Sequence, residues 1–180
     1  FGLTRHWTKS TAAAAWATAF LTTSYMFVLM ARRNSWDIYC HAFMLAAIWG
    51  MAAIAGSSAP RRKLAVGTGL LLGLSGLSKG PVSYYALLLP FVVSFLSTGG
   101  WKGVLAHRKE LGLALGIGVA LSSIWFAAAW LALPHDFARM VATEQTAWLV
   151  EHTKPFWFYL QFPLMTGVWT LIALAALWPG

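Results

Sequence analysis

Lys79 is the only charged residue between Leu64 and Trp101, in a stretch otherwise fit for the interior of a bilayer. An ammonium group in such surroundings is costly unless it is paired or reaches water, so it marks a place where a partner or ligand is met. Its setting is Leu77-Ser78-Lys79-Gly80-Pro81. Gly and Pro break the helical pattern there, which sets the lysine at a turn between two apolar segments, at a membrane face. A second group with chemical potential is Asp37 with His41. Residues four apart share one face of a helix, so a carboxylate and an imidazole at this spacing can be coupled. The plainer reading has Asp37 complementing the positive end of a helix macrodipole and His41 satisfied in the core.

The elements that must position these groups are membrane helices. With 59% hydrophobic residues, 10% charged and eleven Trp in 180 residues, the chain has too little polar surface for a soluble globule. Six apolar stretches follow one another: Thr11 to Ala31, Ile38 to Gly56, Leu64 to Ser78, Val82 to Thr98, Leu111 to Leu133 and Phe156 to Trp178. Most approach the roughly 20 residues that a spanning helix needs. The expected fold is all-α, a polytopic transmembrane bundle of about six helices in a single domain over residues 1–180. Leu64 to Ser78 is short for a span and is expected to reach the interface by snorkelling or local thinning, or to be packed within protein. Phe1, which is not an initiator Met, and the apolar run just before Gly180 suggest a piece of a longer protein.

The net charge of +8 is read as topology and not as nucleic-acid binding. A cytoplasmic N-terminus puts Arg5, Lys9, Arg61, Arg62, Lys63, Lys102, Arg108 and Lys109 inside, eight basic residues against five outside. The positive-inside rule favours that orientation, and the inner cations need no role beyond orientation and contact with lipid headgroups. Four of the five acidic residues, Asp37, Asp136, Glu144 and Glu151, fall outside with Arg32, Arg33 and Lys79. Chemistry is therefore expected on the outer face.

The last outer connection, Pro134 to Pro155, is long for a tight loop. Phe137, Met140, Val141 and Trp148 fall near one side of a helix, which suggests a segment lying along the membrane surface. Glu151, His152 and Lys154 precede the aromatic run Phe156-Trp157-Phe158-Tyr159, itself well suited to an interfacial belt. Gly67, Gly69 and Gly73 follow no strand and so are not a dinucleotide loop. Gly69 with Gly73, and Gly112 with Gly116, read as small-xxx-small pairs that admit close helix packing. No P-loop and no Cys/His metal spacing is present, and the lone Cys40 excludes an intrachain disulfide.

Three features in order carry a family resemblance: Asp37 at the head of a helix, Ser78-Lys79-Gly80-Pro81 between two later ones, and His152-Thr153-Lys154-Pro155-Phe156-Trp157-Phe158-Tyr159 after a long loop. From about Arg32 to Tyr159 the chain resembles the membrane glycosyltransferases of the ArnT and protein O-mannosyltransferase group. Ser78-Lys79-Gly80 is similar to that family's Thr-Lys-Gly turn, and His152 to Tyr159 to its His-x-x-Pro-Phe-Trp-Tyr-Tyr segment. The resemblance implies a GT-C-like bundle that moves a sugar from a polyprenyl-phosphate-linked donor to a lipid or protein acceptor, on the non-cytoplasmic face of a bacterial inner membrane. It implies that Lys79 contacts the donor phosphate, with Arg33 and His152 as weaker candidates for the same role, and that Asp37 is a supporting acidic residue orienting Lys79, the acceptor or a sugar hydroxyl. The lipid-linked sugar is a substrate; no cofactor is implied, and a divalent metal is neither required nor excluded by these motifs.

The family's principal catalytic acid lies in a first outer loop that these 180 residues do not contain. It is expected before Phe1, and the piece alone is not expected to catalyse. Two other classes compete: a transporter or flippase of an anionic lipid or solute using Asp37, His41 and Lys79 as a midmembrane relay, and a noncatalytic membrane subunit with an aromatic outer loop.

Overall fold

The computed structural model describes residues 1–152, 155–159 and 162–176. Every regular element among them is helical. Helices α1 (Gly2–Thr8), α2 (Thr11–Thr23) and α3 (Tyr25–Arg32) lead into α4 (Trp36–Ala55) and α5 (Arg62–Lys79). Two π-helical turns, Tyr84–Leu88 and Leu96–Gly100, flank α6 (Leu89–Phe95), and α7 (Trp101–Ala106) follows. Next come α8 (Arg108–Ala132), α9 (Pro134–His152), α10 (Phe156–Tyr159), a 3-10 helix over Phe162–Trp169 and α11 (Thr170–Ala176).

Three helical stretches among the described residues are long and apolar enough to cross a membrane: Trp36–Ala55, Tyr84–Ala106 and Arg108–Ala132. A fourth crossing results if α2 and α3, bent by 56° at Ser24, form one broken span. The run from Thr11 to Ala31 is thus not one straight helix. Thr18, Thr22 and Thr23 donate their hydroxyls back to carbonyls of the preceding turn, and Ser24 turns its own onto the Leu21 carbonyl at 2.9 Å. Clustered hydroxyls offer the backbone an alternative to the helical ladder, and the helix breaks where three fall in a row. The last apolar stretch is interrupted as well, with Gly167 at φ 65 kinking the chain inside the Phe162–Trp169 segment before α11. Its Trp169 stacks on Phe20 at 4.7 Å and donates to the Thr23 hydroxyl at 2.7 Å, which brings the end of the described chain back to its beginning.

The centre of the bundle is α5. Its flanks carry Arg62, Lys63 and Lys79, too many charges on 18 residues for an independent span, and it is packed between α4 and α8. One face of it is buried against these two helices, while Val66, Leu70, Leu74 and Leu77 form an exposed apolar stripe on the other. With α4 it runs antiparallel in a fixed register: Asp37 meets Lys79, Cys40 meets Ser75, and Gly50 lies against Thr68. With α8 it runs parallel, and here glycine decides the approach. A Cβ on Gly69 would sit 2.7 Å from Ile117 Cβ, and one on Gly73 2.5 Å from Leu121 Cβ. Gly112 and Gly116 have nothing within 4 Å of such a Cβ, so that pair does not mediate helix packing, contrary to its spacing. Met44, Ile48 and Ile54 of α4 with Leu72 of α5 and Leu111 of α8 fill the core.

Pro134 to Pro155 is not a long loop, because α9 occupies it almost entirely. Pro134 starts the helix, Asp136 lies in its first turn, and neither Gly nor another Pro intervenes before Pro155. The bundle has two distinct ends. His107 reaches the Ser57 carbonyl, and a Cβ on Gly56 would meet His6, so α1, the α4–α5 loop and the α7–α8 junction share one end. Arg5, Lys9, Arg61, Arg62, Lys63, Lys102, Arg108 and Lys109 are all exposed around it. Asp37 and Lys79 share the other.

Candidate functional site

The site is built on two helix ends whose polarity matches the charges placed there. Ser35 caps α4, its hydroxyl accepting from the Asp37 amide at 3.3 Å, and Asp37 lies in the first helical turn. A carboxylate is favoured at the positive pole of a helix. Lys79 is the final residue of α5, where a cation is favoured by the opposite pole. Antiparallel packing of α4 on α5 sets the two poles side by side, and the Lys79 ammonium forms an ion pair with Asp37 Oδ1. The Ser35 hydroxyl donates to the other carboxylate oxygen, Oδ2, at 2.8 Å. Asp37 thus has both oxygens engaged, while the Lys79 side chain remains 37% exposed and retains further donors.

Gly80 makes the turn after Lys79. At φ 67 and ψ −150 it occupies backbone space that other residues rarely enter, and its amide returns to the Gly76 carbonyl at 2.7 Å. Pro81 then starts the next helical turn, its carbonyl accepting from the Tyr84 amide at 3.0 Å. Beneath this turn lies a buried hydroxyl network. Ser75 donates to the Cys40 carbonyl at 2.8 Å and its oxygen is 2.6 Å from the Ser83 hydroxyl, so α4, α5 and the start of the following helix are tied together one turn below the ion pair. Both serines are fully buried. Beside the turn a cleft of about 280 Å³ opens between Gly80, Pro81, Tyr84, Ser122 and Phe126. Tyr84 donates to the Leu72 carbonyl at 2.8 Å, and its oxygen lies 3.1 Å from the Ser122 hydroxyl, which fixes the cleft wall.

Of the residues singled out by sequence, Asp37 and Lys79 are brought into contact across 42 positions of chain. His41 is partly buried one turn along α4, within electrostatic reach of Asp37, while the carboxylate spends its oxygens on Lys79 and Ser35. Arg33 is the C-cap that follows α3, exposed and in no ion pair among the described residues. His152 closes α9 as its last residue, and the arrangement of its side chain lies outside the described residues, as do Thr153 and Lys154. No group of three or more His, Cys, Asp or Glu suited to a metal occurs among the described residues.

Sequence reasoning missed Ser35, Ser75 and Ser83. The Ser-x-Asp spacing before an apolar run was the available signal for the first, since it is the pattern of an N-cap. Ser75 and Ser83 had no such signal: a lone serine in an apolar helix reveals nothing of a partner on another helix. The arrangement offers an anionic ligand a partly solvated ammonium held in place by a carboxylate at a helix end, while the apolar cleft beside the Gly80 turn is lined by neither Lys79 nor Asp37. No family model, no curated protein and no solved structure matches the chain.

Proposed function

We propose that the chain is part of a membrane glycosyltransferase that takes a sugar from a polyprenyl-phosphate-linked donor and passes it to a lipid or protein acceptor. The observation that carries the reading is the Asp37–Lys79 pair beside the Gly80 turn and its apolar cleft. In this reading Lys79 meets the donor phosphate as a point charge, offsetting negative charge that develops on the leaving phosphate as the bond to the anomeric carbon breaks. Asp37 is a positioning residue that aims the ammonium, and Ser35 aims Asp37. Arg33 and His152 are further candidates for the phosphate. The carboxylate that takes the proton of the acceptor hydroxyl is assigned to no residue described here.

The finer reading includes a GT-C-like bundle of six spans in a bacterial inner membrane, with the site facing the periplasm. What supports that orientation is the clustering of eight exposed cations at the end remote from Lys79. A midmembrane relay for transport is the weaker alternative, because both charged groups sit at helix ends.

The test is transfer in membranes containing the full-length protein, supplied with a panel of radiolabelled polyprenyl-phosphate sugars. The expected outcome is a labelled lipid or protein with one of the donors, and a fall of about 10²–10³-fold in turnover for Lys79→Ala at equal expression. Unchanged turnover in that variant removes the role given to Lys79, and no transfer from any donor overturns the reaction class.

A further inference from the structure

At the basic end of the bundle, remote from Lys79, lies a cleft that the proposed reaction does not use. It holds about 150 Å³ between the end of α4, the helical stretch from Phe91 to Leu96, α7 and the start of α8, and its walls are apolar throughout. The packing around it keeps it from collapsing. Phe91 is stacked between Trp7 at 5.8 Å and Phe95 at 5.5 Å, which fixes one wall. Gly99, at φ 91, makes the turn that leads into α7. A Cβ on Gly103 would collide with the Ala55 carbonyl, so α7 is seated directly on the end of α4. Leu96 and Leu115 line the cleft and are exposed, so it opens on the flank of two stretches apolar enough to cross a membrane. An apolar cavity of this size stays dry and accepts hydrocarbon.

We propose that this cleft and Arg108 together bind one anionic phospholipid, with part of an acyl chain in the cleft and the phosphate on the guanidinium. The register of α8 carries the assignment. At about 100° per residue, Leu111 and Leu115 lie within about 60° of Arg108 around the helix, whereas Lys109 and Glu110 lie about 100° and about 160° away. Arg108 is the first residue of α8, exposed and in no ion pair among the described residues. Helical side chains lean toward the N-terminus, so a cation at this position stands one turn beyond Leu111, at the level of a headgroup whose chain runs down past Leu111 and Leu115. Arginine meets a phosphate through two parallel N–H donors. The sign of the headgroup follows from the charges nearby. Eight exposed cations surround this end. Glu110, the only acidic residue between Asp37 and Asp136, is 15% exposed with Oε2 at 4.0 Å from His107 Nδ1, so it is turned away from the guanidinium. Such a surface favours an anionic headgroup over a zwitterionic one. The volume admits about six carbon atoms, a part of one chain, with the rest lying along the helices. The inference does not rest on the transfer reaction.

The test is native mass spectrometry of the full-length protein released from detergent and titrated with dioleoyl phosphatidylglycerol or dioleoyl phosphatidylcholine. Wild type is expected to take one phosphatidylglycerol about tenfold more tightly than phosphatidylcholine. Arg108→Gln should weaken phosphatidylglycerol about fivefold, and Lys109→Gln, on another side of the helix, by less than about twofold. Leu115→Trp, which fills the cleft from its open side, should weaken both lipids about fivefold or more and leave the preference between them. It reads the cleft independently of the arginine. Equal losses for Arg108→Gln and Lys109→Gln overturn the proposal, because a diffuse field of cations would then hold the lipid. Binding without preference in wild type, or binding that Leu115→Trp leaves unchanged, overturns it too. A dimer that Leu115→Trp dissociates would show a second copy of the chain in the cleft, which also contradicts it.

Discussion

An ion pair that ties two helix ends together can serve stability or a ligand, and its exposure separates the two. Lys79 and Asp37 have side chains 37% and 25% exposed, so water screens their attraction. Pairs of this kind contribute at most about 1 kcal/mol. Lys79→Gln and Asp37→Asn should therefore each lower stability by about 1 kcal/mol or less, measured by thermal unfolding in detergent. A larger loss for either variant would mean that the pair is a structural clasp. Gly80 behaves differently, because its backbone is strained for any residue with a Cβ. Gly80→Ala should cost about 1 kcal/mol or more in the same assay and displace Lys79 from its turn. The turn itself was legible, since Gly-Pro after a charged residue in an apolar run punctuates a helix. The pairing was not: the two residues stand 42 positions apart, and their meeting depends on the register of α4 against α5.

Among the elements, α5 shows how small residues set helix packing and how spacing alone misleads. Gly69-xxx-Gly73 and Gly112-xxx-Gly116 have the same form. The first faces α8 at distances no side chain can share, and the second faces open space. Spacing tells that two glycines lie on one stripe, and the neighbour that the stripe faces is a property of the assembled bundle. Gly73→Val should force Leu121 aside and destabilise the protein by about 1–3 kcal/mol. Gly116→Ala should be neutral or stabilising by about 0.5–1 kcal/mol, since alanine loses less entropy in a helix. Unfolding of the two variants side by side checks this, and similar losses in both would contradict the packing. Helix α9 carries the complementary lesson. The spacing of Phe137, Met140, Val141 and Trp148 points to a helix in part of this connection, and the helix fills nearly all of it, since a segment free of Gly and Pro behind Pro134 and Asp136 has every local reason to be helical.

For the whole molecule, eight exposed cations gather at one end of the bundle and the Asp37–Lys79 pair lies at the other. Arg32 and Ser58 are both exposed, one at the end of α3, five residues before Asp37, and the other in the α4–α5 loop. Cysteines placed at these two positions should react with an impermeant maleimide from opposite sides, Arg32→Cys from outside and Ser58→Cys from inside, while native Cys40 stays silent in the core. Labelling in the reverse sense would put the Lys79 site in the cytoplasm. A run of apolar residues does not reveal a break at Ser24, where the cause is hydroxyls competing for backbone carbonyls, nor which face of α5 packs against α4 and α8. The proposed reaction requires Lys79 to hold a lipid-linked phosphate. The direct measurement is equilibrium binding of a polyprenyl phosphate to the full-length protein in nanodiscs, compared between wild type, Lys79→Arg and Lys79→Gln. Saturable binding to wild type, weakened roughly 10- to 100-fold by Lys79→Gln and less by Lys79→Arg, is the predicted result. Equal affinity in wild type and Lys79→Gln would contradict it.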